Sequence, residues 1–213
     1  MPLAPSKSIF YSCCCKVVCR GCEIADRITS GGDNCPFCRE PAVNGEENDK
    51  RVMKRVKAND PVAMSQVGET YYDEGDYGAA FEYLTKAAGF EDAAAHFKLG
   101  CMYSKGEGVQ KDEEKMVYHW EMAAIGGHPM ARHLLAIIEE DNGNMERAVK
   151  HYIIAANLGH DNSLKAVEGG FADGLVSKVD YAAALRGHQA AIDATKSAQR
   201  EEAEAFSIRL TGL

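Results

Sequence analysis

The chain has 213 residues, 46% of them hydrophobic, which suits one or two folded domains and argues against general disorder. Its formal net charge of −8 is unevenly spread, because residues 61–213 hold 24 acidic and 14 basic side chains while residues 1–60 are slightly basic. An acidic surface repels phosphate backbones, so we expect no nucleic acid as a main partner. No apolar run approaches the roughly 20 residues of a membrane-spanning helix, so we expect no membrane partner.

Cysteines are concentrated near the start of the chain, where seven of the eight lie between Cys13 and Cys38. They form the run Cys13-Cys14-Cys15 and the pairs Cys19-x-x-Cys22 and Cys35-Pro-Phe-Cys38. Two such pairs, twelve residues apart, indicate a zinc site. The first histidine is His96, so the site would be held by sulfur alone. Residues 1–12 do not resemble a secretory signal, so we expect reduced thiols and a cytoplasmic or nuclear protein that is not secreted.

The segment from residue 44 to residue 60 is charged and rich in helix-forming residues. Val52 and Val56 lie one helical turn apart within it. The segment therefore predicts a linking helix between the cysteine-rich module and the rest of the chain.

From residue 61 onward the sequence repeats itself. Pairs of alanines recur at intervals of 36 and 32 residues, and small, glycine and aromatic residues keep step with them. The residues in phase are Ala87-Ala88, Ala123-Ala124 and Ala155-Ala156; Ala95, Ala131 and Ser163; Gly68 and Gly100; Tyr71, Tyr103 and Phe171; and Leu84, Trp120 and Tyr152. Small residues allow close helix packing, and we expect Tyr71, Tyr103 and Phe171 to fill the space between neighbouring units. Such units must stack to bury their apolar faces.

Each repeat predicts two helices, and the signals that start and end them are visible in the sequence. Asp60-Pro61 predicts a helix start, and Gly126 and Gly159 suit left-handed helix ends. We count four repeats, followed by a polar stretch from Ala198 to Phe206 that predicts a terminal capping helix.

The repeats resemble the Sel-one-like family, which is related to the tetratricopeptide repeats. The best match is the second unit, with Ala95-x-x-x-Leu99-Gly100-x-x-Tyr103, Gly106-x-Gly108-Val109-x-x-Asp112 and Trp120-x-x-Ala123-Ala124. The resemblance covers about 140 residues. It implies an adaptor that holds proteins or peptides in a groove of the repeats.

The cysteine-rich module resembles the later part of a RING-type finger, over roughly residues 10–40. Such a finger has four ligand pairs, of which the first and third hold one zinc and the second and fourth hold another. The resemblance makes Cys13-Cys14 the second pair, Cys19 and Cys22 the third, and Cys35 and Cys38 the fourth. No cysteine or histidine precedes Cys13, so the module looks like a finger that lacks its first pair.

Two ligand sets stay open. The crossed pairing of a RING-type finger gives one complete site from Cys13, Cys14, Cys35 and Cys38, and leaves Cys19 and Cys22 as half a site that Cys15 and a water would complete. A zinc ribbon would instead use Cys19, Cys22, Cys35 and Cys38. In either case forty residues are too few for an adequate core, so the metal would stabilise the module.

RING-type fingers recruit a ubiquitin-conjugating enzyme and act without a covalent step. By this resemblance, Pro36 and Phe37 match the apolar contact with that enzyme, and Arg39 matches a basic residue that helps to hold the charged ubiquitin. An ordinary solvated charge is an equally good interpretation of Arg39. The chain offers no catalytic residue of its own, and an enzymatic role is at most that of a RING-type ligase.

The histidines at equal repeat positions, His119 with His151 and His128 with His160, predict structural roles rather than a metal site. Together the patterns predict a mostly α protein: a right-handed solenoid of antiparallel helix pairs preceded by a small zinc-stabilised module. The predicted parts are an incomplete finger at 1–43, a linking helix at 44–60 and about four repeats with a capping helix at 61–213. The predicted function is a zinc-binding adaptor with a link to ubiquitin transfer. The alternative is a purely structural scaffold with a degenerate finger.

Overall fold

In this computed structural model the described residues are 8–30, 32 and 34–196, without the side chains of Ser8, Cys19, Arg20, Gly21 and Ile28. They contain two strands and ten helices. The chain divides into an N-terminal unit, which includes residues 2–63, and a repeat unit, Met64–Thr195. The predicted capping helix from Ala198 to Phe206 lies outside the described residues.

The N-terminal unit begins with a hairpin of strands β1 (Ser8–Tyr11) and β2 (Lys16–Cys19). The strands are antiparallel and Tyr11 lies opposite Lys16, so residues 12–15 form the loop between them. Cys15 takes the left-handed conformation in this loop, with φ of 52°. Helix α1 (Arg20–Ser30) follows β2 directly.

A second tight turn closes around Cys35. The amide of Cys35 donates to the carbonyl of Glu40 at 2.8 Å, and the amide of Arg39 donates to the carbonyl of Cys35 at 2.9 Å. An isolated bridge pairs Asn34 with Pro41. Arg39 completes the turn in the left-handed region, with φ of 61°.

Helix α2 (Glu46–Lys57) occupies the segment in which a linking helix was predicted. Acidic residues fill its first turn and basic residues its last, which complements the helix dipole. Val52 is buried. Two arginines of α2 bond to carbonyls of the preceding loops: Arg51 to Pro41 at 3.0 Å and Arg55 to Cys14 at 3.2 Å.

The repeat unit is formed by eight helices, the first of which starts three residues before it. They are α3 (Pro61–Asp73), α4 (Tyr77–Ala88), α5 (Ala93–Lys105), α6 (Glu113–Ile125), α7 (Pro129–Asp141), α8 (Met145–Asn157), α9 (Asp161–Ala172) and α10 (Lys178–Asp193). Successive helices from α4 to α10 pack on one another, and α10 also packs on α8. No described helix has both the length and the apolar character needed to cross a membrane.

Residues that the sequence places in phase form the core of these helices. Ala95, Ala131 and Ser163 are fully buried, and the large side chains at another shared position are also buried: Leu84, Trp120 and Tyr152. Gly100 lies against Trp120 so closely that a Cβ there would be 2.3 Å from the ring. The glycine in the sequence pattern therefore makes room for the large side chain of the next helix.

Side-chain caps define the helix starts. Asp60 accepts from the amides of Val62 and Ala63, as the Asp-Pro signal predicts. His128 and His160 cap α7 and α9, because each Nδ1 accepts an amide three residues later. The predicted structural role of this histidine pair is thus a helix cap.

Two details of the predicted repeat differ in the structure. Gly159 has φ of 81°, as predicted, but Gly126 has φ of −70° and the left-handed residue is Gly127. Gly126 is instead a point of close approach, since a Cβ there would lie 2.6 Å from the Cβ of Ala93.

The aromatic residues expected between repeats also differ. Tyr71 stacks on Tyr83 within its own helix pair, at 5.6 Å between ring centroids, and Phe171 does the same on Tyr181. Tyr103 does contact the preceding pair, through the edge of Phe81 at 5.9 Å.

Candidate metal centre

The two tight turns of the N-terminal unit bring four thiols together. Cys13 and Cys14 come from the β1–β2 loop, and Cys35 and Cys38 from the second turn. The Sγ atoms of Cys14 and Cys35 are 3.6 Å apart, and those of Cys38 and Cys13 are 3.3 Å apart. All four sulfurs lie within 4.8 Å of one another. The hairpin register and the left-handed residues Cys15 and Arg39 are the local features that fold the turns this way.

The size of this cluster fits one metal ion. A tetrahedral zinc with Zn–S bonds of about 2.3 Å holds its sulfurs about 3.8 Å apart, which is close to the spacings observed. Cys35 is fully buried, Cys13 and Cys14 are half-buried, and Cys38 is exposed. An all-sulfur set of this kind selects soft or borderline metals rather than calcium or magnesium.

Local hydrogen bonds favour the thiolate form at one cysteine. Burial alone would raise the pKa of the Cys35 thiol, but backbone amides of Cys38 and Phe37 and the thiols of Cys13 and Cys14 donate to it, which holds the pKa at about 7. Burial raises the pKa of Cys13, and so do its hydrogen bonds to Cys38 and Cys35. Since thiolates are the metal-binding form, the lowered pKa of Cys35 would favour metal binding by this thiol at neutral pH.

Cys15 belongs to a different environment. It is buried, and burial raises the pKa of its thiol, while hydrogen bonding to Arg55 lowers it. Arg55 also forms an ion pair with Asp60 at 3.0 Å. Cys15, which was predicted to help complete a second half-site, therefore hydrogen-bonds to Arg55 of α2.

The third predicted ligand pair lies at the junction of β2 and α1. Cys22 is exposed on α1, and the side chain of Cys19 lies outside the described residues. In the described part of the chain, the thiols beside Cys35 and Cys38 are those of Cys13 and Cys14. The geometry agrees with the crossed pairing, whereas the ribbon needs Cys22 in that place. Which residues bind a metal stays a prediction.

The residues predicted to contact a conjugating enzyme lie within or directly after the second turn. Phe37 is 60% exposed between two of the four cysteines, and Pro36 is partly buried. Arg39 donates from Nη1 to Oδ1 of Asp26 on α1 at 2.8 Å. This ion pair was not foreseen, because the twelve residues after Cys22 carry no metal ligand and their helix was not predicted.

These features define a class: a scaffold of stacked helix pairs with a compact four-cysteine cluster ahead of it. Residues 61–88, 93–128 and 137–160 match the family model described as Sel1 repeat. The matched segments lie within the repeats recognised in the sequence, so the resemblance to the Sel1 repeat family and the helical scaffold for protein interaction that it implies are supported. The RING-type resemblance of the finger stays a prediction.

Several solved structures are similar, among them the following two. The Sel1 repeat protein from Oxalobacter formigenes is 22% identical with a TM-score of 0.59, over 83% of this chain and 72% of that one, which shows the fold alone. The protective antigen c5321 of uropathogenic Escherichia coli, which displays an SLR fold, is 25% identical with a TM-score of 0.56. That match covers 73% of this chain but only 34% of c5321.

Proposed function

We propose that the protein is a zinc-binding interaction adaptor, in which Cys13, Cys14, Cys35 and Cys38 hold one zinc ion and the Sel1 repeats bind a protein partner. The observation that carries the zinc proposal is the convergence of four sulfurs from two separate turns, all within 4.8 Å of one another. A cluster of four reduced thiols in a small unit is typical of a structural metal site.

The composition of the N-terminal unit supports the proposal. Before residue 60, the described apolar side chains that are buried are those of Cys15, Val18, Cys35 and Val52. So few residues cannot supply a stable core. A structural zinc contributes on the order of 10–16 kcal/mol of apparent folding free energy in small modules.

The role of the metal in this adaptor is structural. Zinc bound by four sulfurs has no open coordination position, so it supplies a cross-link rather than a reaction centre. The chain's own residues set the turns: Cys35 offers a thiolate, and Arg55 fixes the hairpin loop by bonding the carbonyl of Cys14. We place the protein in the cytoplasm or nucleus, where thiols stay reduced, and cell fractionation tests this.

The zinc proposal is tested by metal analysis of protein purified in reducing buffer. We expect about one zinc per chain, from the single complete cluster. The double variant Cys13→Ser with Cys14→Ser should lose it. Cys22→Ser separates the two ligand sets, because the crossed pairing leaves its zinc content unchanged and the ribbon does not.

Cys101→Ser is the matched control, because Cys101 lies in the repeat unit and packs against the core around Trp120. Metal-free wild-type protein after gentle purification would contradict the zinc proposal. Equal zinc in the wild type and the Cys13/Cys14 double variant would contradict the ligand set.

A link to ubiquitin transfer is the second part of the proposal. It is supported by Phe37, a large apolar side chain that stays 60% exposed on the metal-binding turn. A zinc-fixed turn would present this ring as a rigid contact for a ubiquitin-conjugating enzyme. Arg39 is tied to Asp26, so it would have to exchange that ion pair to reach ubiquitin.

We expect weak activity or none, because Arg39 is held by Asp26 rather than free to contact ubiquitin. The test is ubiquitin discharge from a panel of conjugating enzymes, with Phe37→Ala as the variant and Phe90→Ala, an exposed phenylalanine of the repeat unit, as the control. Robust discharge that is abolished by Arg39→Ala would show an active ligase. Discharge that is unaffected by Phe37→Ala would show that Phe37 does not contact the conjugating enzyme.

A further inference from the structure

One long face of helix α6 is exposed in the described part of the chain. Glu114, Tyr118, Glu121 and Ile125 follow one another at intervals of four, three and four residues, so they lie on one stripe about 16 Å long. Tyr118 is 53% exposed and Ile125 is 74% exposed. Trp120, on the opposite side of the helix, fills the core. The helix therefore presents apolar side chains both to the core and to solvent.

The glutamates of this face form no ion pair within the described part of the chain. The lysine of α6, Lys115, forms an ion pair with Asp112 at 3.1 Å and lies over the ring of Tyr103. Glu114 is in the first turn of α6, where the helix dipole favours a negative charge. Glu121 is in the third turn, where the dipole offers no such reason.

In the next repeat, the glutamate equivalent to Glu114 is neutralised by an ion pair. Glu146 and Lys150 of α8 lie 32 residues after Glu114 and Tyr118, and they form an ion pair at 2.6 Å. Helix α4 has an ion pair one turn further along its repeat, between Glu82 and Lys86. In α6 an exposed tyrosine replaces the lysine, so the negative charge of the face is retained and an aromatic ring is added to it.

The ring of Tyr118 is held in place by its neighbours. The imidazoles of His96 and His119 contact it edge-on, with centroids 6.4 and 5.1 Å away. Burial, and then the nearby His96, lower the pKa of His119 to about 4, so it adds no positive charge at neutral pH. Tyr118 also lines an open hollow of about 350 Å³, together with Glu113, Glu114, Val117 and Glu121.

We propose that this α6 face binds a basic amphipathic helix of a partner protein. An arginine or lysine of that helix lies over the ring of Tyr118 between the carboxylates of Glu114 and Glu121, where cation–π and charge attraction act together. An apolar side chain two turns further along rests on Ile125, because seven residues of a helix span about 10 Å, the same distance that separates Tyr118 from Ile125.

Charge complementarity selects this occupant. A nucleic acid or an anionic membrane would be repelled by unpaired carboxylates, whereas a basic helix is attracted. The proposal rests on the scaffold function of the repeats and names the chemistry of one partner. It does not involve zinc, so the two proposals can fail separately.

The test uses the full chain and a fluorescein-labelled synthetic helix of lysine, arginine and leucine, about 18 residues or five turns long, in fluorescence anisotropy titrations. Two variants address the face: Tyr118→Lys, which restores the arrangement of α8, and Glu114→Gln combined with Glu121→Gln. The matched control is Glu82→Gln combined with Glu146→Gln, which makes the same charge change on exposed positions of α4 and α8.

We expect both face variants to weaken binding by about tenfold or more and the control by less than about twofold. Binding should persist with a chelator present, and a helix with glutamate in place of its basic residues should not bind. Equal losses in the face and control variants would overturn the proposal in favour of general charge attraction. Absent binding, or binding that needs zinc, would also overturn it.

Self-association is the remaining outcome. If the wild-type protein forms dimers in sedimentation experiments and Tyr118→Lys dissolves them, the occupant is a second copy of the chain, and the partner proposal is wrong. Circular dichroism melts of each variant show whether the fold is retained.

Discussion

The N-terminal unit and the repeat unit specify their folds in opposite ways. In the repeat unit nearly every helix contributes fully buried residues, such as Leu84, Leu99 and Ala136, so stability is spread over many contacts. In the N-terminal unit, before residue 60, four described apolar residues are buried and two of them are cysteines. A long segment can therefore be stabilised by packing of many buried side chains, whereas a short segment needs a few side chains that can form a cross-link, such as cysteines.

Polar contacts do not make up the deficit of the N-terminal unit. Arg39 pairs with Asp26, and Arg27 pairs with Glu23, but both arginines are more than half exposed. Exposed ion pairs contribute about 0–1 kcal/mol each. We therefore infer that this unit depends on its four-cysteine cluster, and the predictions below test the contrast between the two units.

The largest effect is expected from removing the metal. A strong chelator should unfold residues 8–45 and leave the repeat helices intact. The folding free energy from the metal, on the order of 10–16 kcal/mol, would be lost in the N-terminal unit only. Amide NMR spectra of the full chain would show collapsed dispersion for the first group and unchanged peaks for residues 64–195. Unchanged peaks throughout would show that the N-terminal unit is stable without metal, and general unfolding would show that the two units depend on each other.

The next effect tests the repeat unit. Trp120 is 7% exposed and packs among Met116, Ala123, Leu135 and their neighbours. Trp120→Ala should lower the free energy of unfolding by about 3–5 kcal/mol, since a large buried ring leaves a cavity. Urea titration followed by circular dichroism measures the loss.

Tyr118→Ala is the control for this substitution, because it removes an exposed ring from the same helix. It should change stability by less than about 1 kcal/mol. Similar losses for both variants would mean that the core assigned to Trp120 is wrong.

The fold of the repeat unit could be predicted largely because its signals recur. Each small or large core residue appears two or three times in phase, so one unit supports the assignment of the next, as with Leu84, Trp120 and Tyr152. The left-handed position at Gly127 rather than Gly126 was missed, because either glycine of an adjacent pair can end a helix.

The site was less accessible to sequence reasoning. Spacing alone left two ligand sets open for Cys35 and Cys38, since the pairing depends on how the β1–β2 loop approaches the second turn. The stripe on α6 was also missed. It becomes informative only when Trp120 is known to face the core, which leaves Tyr118 and Ile125 in solvent.

A pH effect of intermediate size is expected in the repeat unit. His128 caps α7 by accepting the amide of Ala131, and burial, followed by the nearby His160, lowers its pKa from 6.5 to about 4. The pKa of His128 is lower in the folded state than in the unfolded state. The stability that neutral His128 provides is therefore fully present above pH 6.5 and is lost as the pH falls towards 4. The loss is on the order of 2–3 kcal/mol, and urea titrations at several pH values measure it.

His128→Asn is the matched variant, because asparagine caps helices without titrating. Its stability should fall less steeply between pH 6.5 and 4 than that of the wild type. A residual slope is expected, since burial also lowers the pKa of His133 and His160. Identical slopes for wild type and variant would show that His128 is not the titrating cap.

The smallest effects come from single methyl groups, and they show how specific the packing of the repeat unit is. A Cβ at Gly100 would lie 2.3 Å from the ring of Trp120, so Gly100→Ala should cost about 1–3 kcal/mol by overpacking. Gly169 lies within α9 with no atom within 4 Å of its Cβ position, so Gly169→Ala should instead stabilise by up to about 1 kcal/mol through helix propensity. The two substitutions are chemically identical, and differential scanning calorimetry should show melting temperatures that move in opposite directions. If both move upward, Trp120 can shift freely, and the core of the repeat unit is more tolerant than its buried contacts indicate.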